Sequence, residues 1–266
     1  MTNLKELMNP IKDLMNEIGQ YQMTYFRKEN QIQEKEKKEL VSKVDIESEK
    51  NIKEALLSLL PQAEFFGEES GSTSDCPQEK LLWVVDPLDG TTNYLSGLDQ
   101  FSISIALLDK SEPILGVVYK PATKEIFHAI KGHGLYHNQQ LMPKQKKCEI
   151  NNALLGTGFP YRNPETLQQF FKCTEAALTS SRGIRRFGSA ALDLSYVSSG
   201  FLQGFWEVGL QAYDIAASLV FLNETGCRYS NFQGGTYDIF NDRTFVAGVP
   251  NTFETLQKIT NDSYVT

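Results

Sequence analysis

Cysteine is scarce in this chain of 266 residues: Cys76, Cys148, Cys173 and Cys227 lie far apart, with no C-x-x-C pair among them. That spacing excludes a disulfide framework and predicts reduced thiols in a cytoplasmic compartment. Clustered positive charge is lacking as well. Lys and Arg are scattered, the net charge is -7 and the pI is near 5.1. Affinity for a nucleic-acid backbone comes mainly from grouped cations, so no nucleic-acid partner is expected. Long apolar runs are missing too. The first 18 residues carry Lys5, Glu6, Lys12, Asp13 and Glu17, which leaves no stretch for a signal peptide or a spanning helix and predicts no membrane partner. What remains is a 41% apolar chain with no internal repeat or low-complexity linker, long enough to bury a sizeable core as one large domain or two closely fused halves.

Periodicity places the elements. Leu4, Leu7, Met8, Ile11, Leu14, Met15 and Ile18 fall at helical spacing and predict a surface helix with one buried stripe. Pro10 admits two arrangements there: a bend within one helix, or a helix capped by Asn9 that begins at Pro10. Residues 21–43 are highly charged and read as a solvated helix end or mobile loop. From Ser48 a second helical pattern with Ile52, Leu56, Leu59 and Leu60 runs into Pro61. The apolar run 81–85 is what a buried strand delivering Asp86 at its tip would show. Runs 101–108, 114–119 and 125–130, separated by turn-like residues, predict an antiparallel meander. Beyond it come a strand over 154–159, helices over 164–180 and 189–198, a strand over 202–208, a helix over 213–225, and a closing strand and helix over 245–249 and 251–259. Strands and helices interleave throughout, which favours a layered α/β architecture.

The chemistry concentrates in Trp83-Val84-Val85-Asp86-Pro87-Leu88-Asp89-Gly90-Thr91-Thr92-Asn93-Tyr94. Pro87 keeps Asp86 extended, so the Leu88 carbonyl is free to join the carboxylates of Asp86 and Asp89 as an oxygen ligand. An all-oxygen cluster suits a hard cation such as Mg²⁺ rather than Zn²⁺ or copper. The N–H groups of Gly90, Thr91 and Thr92 would open a helix and favour an anion in front of them. Further acids stand on separate elements: Glu68 in Gly67-Glu68-Glu69-Ser70, Asp45 after the run 40–44, and Asp214 at the head of a helix. That helix continues Ile215-Ala216-Ala217-Ser218, whose short side chains let a backbone pack closely under a site. Taken singly, each of these acids reads as a solvated surface charge or a helix cap. Their combination reads otherwise.

Together, Asp86-Pro87-Leu88-Asp89-Gly90-Thr91, Gly67-Glu68-Glu69-Ser70 and Tyr213-Asp214-Ile215-Ala216-Ala217-Ser218 resemble the inositol monophosphatase family in order and spacing. Gly188-Ser189-Ala190-Ala191, Trp206-Glu207 and Gly156-Thr157-Gly158-Phe159-Pro160-Tyr161 match too, so the resemblance spans roughly residues 10–260. It implies a layered α-β-α-β-α sandwich of the sugar-phosphatase type, with an N-terminal half over 1–146 and a C-terminal half over 147–266 forming one catalytic unit. It implies metal ligation by Glu68, Asp86, the Leu88 carbonyl, Asp89 and Asp214, for two Mg²⁺ or three. Glu68, Asp45 and Thr91 would orient and support the nucleophilic water. The amides of Gly90 and Thr91 would hold the phosphate, with Asp89 and Asp214 beside it, and Ala190 and Glu207 would line the pocket for the alcohol. Inhibition by Li⁺ and a homodimer are further family expectations. The chain departs from the family at Cys227, where a small residue is usual, and at Tyr213, where Trp is commoner. It also carries Glu34 beside Lys35 where family members often have a lysine, which puts a lysine near a third metal in doubt.

A phosphate monoester dianion would be repelled by this many carboxylates unless cations stood between them. Two Mg²⁺ roughly 3.5–4 Å apart would bridge the phosphate, one lowering the pKa of an attacking water and the other stabilising the leaving alkoxide. The chain has no P-loop pattern and no Cys-x5-Arg motif, consistent with direct attack by water and no covalent intermediate. Hydrolysis of a small phosphate monoester is therefore the expected activity. Inositol monophosphate comes first among substrates, because Glu207 can accept paired hydroxyl hydrogens. Fructose 1,6-bisphosphate, NADP, 3'-phosphoadenosine 5'-phosphate and histidinol phosphate are its rivals on the same metal residues. A catalytically silent, metal-dependent binding or regulatory protein is the rival of another class. His128, His133 and His137 around Gly132 and Gly134 fit no standard zinc spacing. Arg185 and Arg186 read either as a grip for a second phosphate or as solvated charges.

Overall fold

The N-terminal stripe forms one helix, α1 (Leu4–Tyr25), capped by the Asn3 side chain accepting from the Lys5 N–H. Of the two arrangements that Pro10 admits, the structure shows the single helix, with Leu7, Met8, Ile11, Leu14, Met15 and Ile18 buried along one side. The computed structural model describes residues 3–27, 32–36, 39–72 and 80–264, and of 32–36 and 39–42 the main chain alone. Strands β1 (Ile32–Glu36) and β2 (Glu39–Ser42) pair antiparallel. Residues 21–25 form the end of α1, and over 32–36 and 39–42 the ladder corrects the reading of residues 21–43 as a solvated helix end or mobile loop. Ladder bonds join main-chain groups, so a charged composition does not prevent them. Residues 28–31 and 37–38 of that stretch lie outside the described residues, as do Cys76 and the side chains of Glu34 and Lys35. Helix α2 (Lys43–Leu59) begins at Lys43 rather than Ser48, because Val44, Asp45 and Ser48 already belong to its buried face.

Next come β3 (Glu64–Gly67), β4 (Gly71–Ser72), β5 (Leu81–Asp89), the short helix α3 (Thr91–Leu95), and the expected meander as β6 (Ser102–Asp109), β7 (Glu112–Lys120) and β8 (Glu125–Ile130). β9 (Leu135–His137) and β10 (Gln140–Leu141) complete an eight-stranded sheet ordered β10-β9-β8-β7-β6-β5-β3-β4, in which β3 and β5 run parallel. The second half supplies β11 (Leu154–Thr157), α4 (Leu167–Ser180), β12 (Gly183–Arg185), α5 (Ala190–Ser198), β13 (Gly204–Val208), α6 (Ala212–Thr225), β14 (Arg228–Ser230), β15 (Thr244–Gly248) and α7 (Thr252–Tyr264). Its five strands are ordered β12-β11-β13-β15-β14, with β11 parallel to both neighbours.

Alternation along the strands builds the layers, since successive side chains point to opposite faces. In β5, Trp83 and Val85 pack with α1 and α2, whereas Leu82 and Val84 face the core shared with α5 and α6. In the small sheet, Phe205, Phe245 and Ala247 meet α5 and α6 from the other side, while Trp206 and Val246 pack with α4 and α7. The result is an α-β-α-β-α sandwich with α5 and α6 as the middle layer. Helix α6 sits unusually close to β7: a Cβ on Gly116 would lie 2.9 Å from the Ala217 Cα, so only glycine leaves room. The short residues Ala216, Ala217 and Ser218 serve this approach, as their run in the sequence led one to expect.

Candidate active site

Strand β5 pairs regularly with β6 from Leu81 to Asp86, then skips to Asp89 opposite Ser102. Proline has no N–H for the ladder. The next N–H, that of Leu88, donates to Asp86 Oδ1 at 2.9 Å instead. Such an irregularity re-aims side chains, here at the end of a buried strand. Gln22 of α1 donates to the Pro87 carbonyl at 2.7 Å, and Tyr94 of α3 donates to the Gln22 carbonyl at 2.7 Å, so the bend is braced from behind. Gly90 follows with φ +97°, where a Cβ would come within 2.8 Å of the Gln100 carbonyl. The Thr91 hydroxyl donates to the Leu88 carbonyl at 3.0 Å and leaves that oxygen a second lone pair.

Asp89 Oδ2 receives the Ser189 hydroxyl at 2.6 Å and the Ala191 N–H at 2.8 Å, so the head of α5 holds it. Asp214 accepts the Gln211 N–H at 2.7 Å in a capping box at the head of α6. One carboxylate oxygen each of Asp86, Asp89 and Asp214 lies within 4.8 Å of the others, on buried residues. Burial first, then Glu68, Asp89 and Asp214, hold the Asp86 carboxyl far above the ordinary range. Burial pushes Asp89 up to about 6 against the pull of its Ser189 and Ala191 bonds. Buried like charges of this kind are relieved by a cation, and an all-oxygen donor set fits a hard one.

Glu68 stands outside that group, half-buried, with its carboxylate 3.7 Å from Arg162 Nη2, yet close enough to raise Asp86 and Asp89. Its loop is fixed by Glu49 of α2, whose carboxylate accepts the N–H groups of Glu69 and Ser70 at 2.8 Å each. A side chain on Gly67 would collide with that carboxylate. Asp45 is buried in the first turn of α2, near Tyr94. Glu207 on β13 is half-buried beside Gly158, where any Cβ would strike it. Burial and Asp214 push it up to about 8 against the opposing pull of Arg186 and Arg162. Ala190 is buried at the start of α5. Arg186 lies over the rings of Phe159 and Tyr161 at 5.2 and 5.4 Å and acts on Glu207 and Asp193, whereas Arg185 is exposed and turns to the Ile184 carbonyl.

The sequence left four of these positions unassigned. Glu49 has a signal, its place four residues after Asp45 on one helix face. Ser189 sat within a recognised motif, but its bond reaches Asp89 across 100 residues. Arg162 and Asn93 carried no signal; the Asn93 amide fastens α3 to the carbonyls of Gln100 and Phe187 at 2.6 and 2.7 Å. The histidines do not converge: His128 stacks on Tyr136 and His137 on Phe127. Cys148, Cys173 and Cys227 are free thiols. Among the described residues, no helix is long and apolar enough to cross a membrane.

The profile of the inositol monophosphatase family matches residues 3–263. The chain is 37% identical over 195 residues, 73% of each chain, to the Nus factor SuhB of Haemophilus influenzae. It is likewise 37% identical over 195 residues, 73% of each, to an inositol-1-monophosphatase of Rhizobium meliloti. Among solved structures, the extragenic suppressor protein suhB from Bartonella henselae is similar with a TM-score of 0.89 at 31% identity, over 96% of this chain and 98% of that one. The match over nearly the whole chain, on a sandwich that gathers Asp86, Asp89 and Asp214, means that this protein belongs to the inositol monophosphatase family.

Proposed function

We propose that the chain is a Mg²⁺-dependent phosphatase that hydrolyses a small phosphate monoester, inositol monophosphate before others, by direct attack of water. The observation that carries this reading is the buried group Asp86, Asp89 and Asp214, whose hydrogen bonds orient each carboxylate while an oxygen of each converges with the others. Glu68, Asp86, the Leu88 carbonyl, Asp89 and Asp214 would hold two Mg²⁺ or three. Bound there, the cations neutralise phosphate charge and acidify the attacking water. The chain's own part is placement. Glu68, fixed through Glu49, orients the water, and Thr91 and Asp45 support it. The N–H groups of Gly90 and Thr91 face the phosphate oxygens, while Glu207 and Ala190 receive the alcohol. The halves 1–146 and 147–266 act as one catalytic unit, a reading supported by the bonds from Ser189 and Ala191 to Asp89.

Two observations support other readings. Arg162 and Arg186 act on Glu207 at the rim, which favours a substrate with a second phosphate, such as fructose 1,6-bisphosphate, NADP or 3'-phosphoadenosine 5'-phosphate. Relatives named Nus factor SuhB support a regulatory binding role. Family membership also supports Li⁺ inhibition, a homodimer and a cytoplasmic address.

Phosphate release from these compounds, with Mg²⁺ and with chelator, tests the proposal. The expected result is Mg²⁺-dependent release led by inositol 1-phosphate and abolished by Asp89→Asn, with the far-UV circular dichroism unchanged. Release that survives the chelator, or no release from any compound, would overturn it.

A further inference from the structure

The strands β11, β12 and β13 run parallel, and past their ends lie Gly158 and Arg186, with Glu207 near the end of β13, all at the active site. Their beginnings, preceded by Asn152, Arg182 and Gln203, lie at the opposite end of the small sheet. A cavity of about 370 Å³ opens there, lined by Lys144, Lys146, Lys147, Arg182, Asn152 and Gln203. The ribbon that brings the lysines is pinned. The Gln145 N–H bonds the Thr225 carbonyl at 2.7 Å, the Cys148 N–H bonds the Pro250 carbonyl at 3.0 Å, and the Gln145 side chain donates to the Ser198 carbonyl at 2.9 Å. Gln203 is committed as well, accepting from the Leu154 N–H and donating to the Gly200 carbonyl. The cavity floor is therefore tied to α5, α6 and the turn after β15 by hydrogen bonds.

Its cations are unspent. Among the described residues, Lys144, Lys146, Lys147 and Arg182 have no carboxylate partner and no side-chain hydrogen bond, and the Asn152 amide has none either. Some exposed cations elsewhere pair, Lys80 with Glu64, Lys131 with Glu112, Arg228 with Glu254 and Lys258 with Asp262. Others among the described residues, such as Lys5, Lys50, Lys110 and Lys124, stand unpaired on separate elements and turns, and Lys144, Lys146, Lys147 and Arg182 differ in lining one cavity together. In a chain of net charge -7, four unpaired cations around one concavity run against the general balance. Held together they repel one another, and a multiply charged anion relieves that repulsion while taking charge-assisted bonds from each. The volume falls in the range of small-molecule sites, about 300–1,000 Å³. A concavity of that size on the face away from the acidic cluster suits a compact ligand better than a strand of nucleic acid.

We propose that this pocket is a second, non-catalytic binding site for a small molecule bearing a condensed phosphate, of the pyrophosphate or nucleoside diphosphate kind. The proposal does not depend on the catalytic reading. Calorimetric titration of the full chain with inorganic pyrophosphate, in chelator, tests it, because without cations the acidic site repels the same anion. The expected result is one bound pyrophosphate, with affinity about tenfold or more weaker in Lys147→Gln/Arg182→Gln and in Lys146→Glu, and unchanged in Arg162→Gln beside the acidic cluster. All substituted residues are exposed, and thermal melting checks that the variants fold. No binding by the unsubstituted chain, an equal loss in Arg162→Gln, or a single-stranded RNA that binds through these residues where pyrophosphate does not, would overturn it.

Discussion

At the scale of single residues, Asp89 is oriented by partners that hold no metal themselves. Ser189 supplies the shorter of the two bonds to Oδ2, and without that hydroxyl the carboxylate keeps only main-chain N–H groups at the head of α5. Partners that orient metal ligands are worth about 10–100-fold in metal affinity. Ser189→Ala is therefore expected to raise the Mg²⁺ concentration for half-maximal activity by about that factor, with the fold intact by circular dichroism. An unaltered Mg²⁺ dependence would show that α5 does not set this carboxylate. Asp86 and Asp89 were legible because they share one short segment with Pro87 between them. The place of Asp214 beside them was legible through the family's motifs, whereas Glu68, marked by the same motifs, stands outside the trio. Ser189's role was not legible, since it depends on a contact between two distant stretches.

Among the elements, α6 shows how a helix can carry a ligand to a site by lying close to a sheet. Gly116→Ala would set a Cβ 2.9 Å from the Ala217 Cα and closer still to its carbonyl, main-chain atoms that cannot rotate aside. The helix must then lift, and Asp214 moves with it. Overpacking of this kind costs about 1–3 kcal/mol. The variant is expected to melt about 2–4 °C lower per kcal/mol and to bind Mg²⁺ more weakly, by scanning calorimetry and Mg²⁺ titration of activity. A melting temperature and Mg²⁺ dependence both unchanged would mean that the contact yields. Long periodic elements such as α1, α6 and the β6–β8 meander were readable because each buries its own pattern. The hairpin β1–β2 and short edge strands β10, β12 and β14 were not, because only pairing with a neighbour makes them strands.

For the whole molecule, the gathered acids make stability, protons and cations one linked quantity. Asp89 titrates near 6 in the fold, above its ordinary value of about 3.9, and Glu207 near 8, above about 4.3. Groups raised in this way stabilise the cation-free fold fully below their unfolded values, and that contribution is lost as pH rises through about 6 and about 8. His128 works in the opposite sense: burial holds it down to about 4, so its contribution is present above about 6.5 and lost as pH falls through about 4. Cations compete with protons for the carboxylates. Mg²⁺ is therefore expected to raise the melting temperature more at pH 8 than at pH 5.5, and its binding to release protons, read by calorimetry in buffers of different ionisation enthalpy. Equal thermal gains at both pH values with no proton release would contradict the linkage.

The sequence by itself determined the layered α/β class, the long helices and strands, and the segments that carry most of the acidic residues, because amphipathic period and short-range chemistry are written along the chain. Only the tertiary structure decided which acids converge, that Glu49 and Ser189 steady them, that α6 rests directly on β7, and that four lysine and arginine side chains share a pocket at the far end of the small sheet. Each of these is a meeting of stretches far apart in sequence, and such a meeting exists only once the layers have packed.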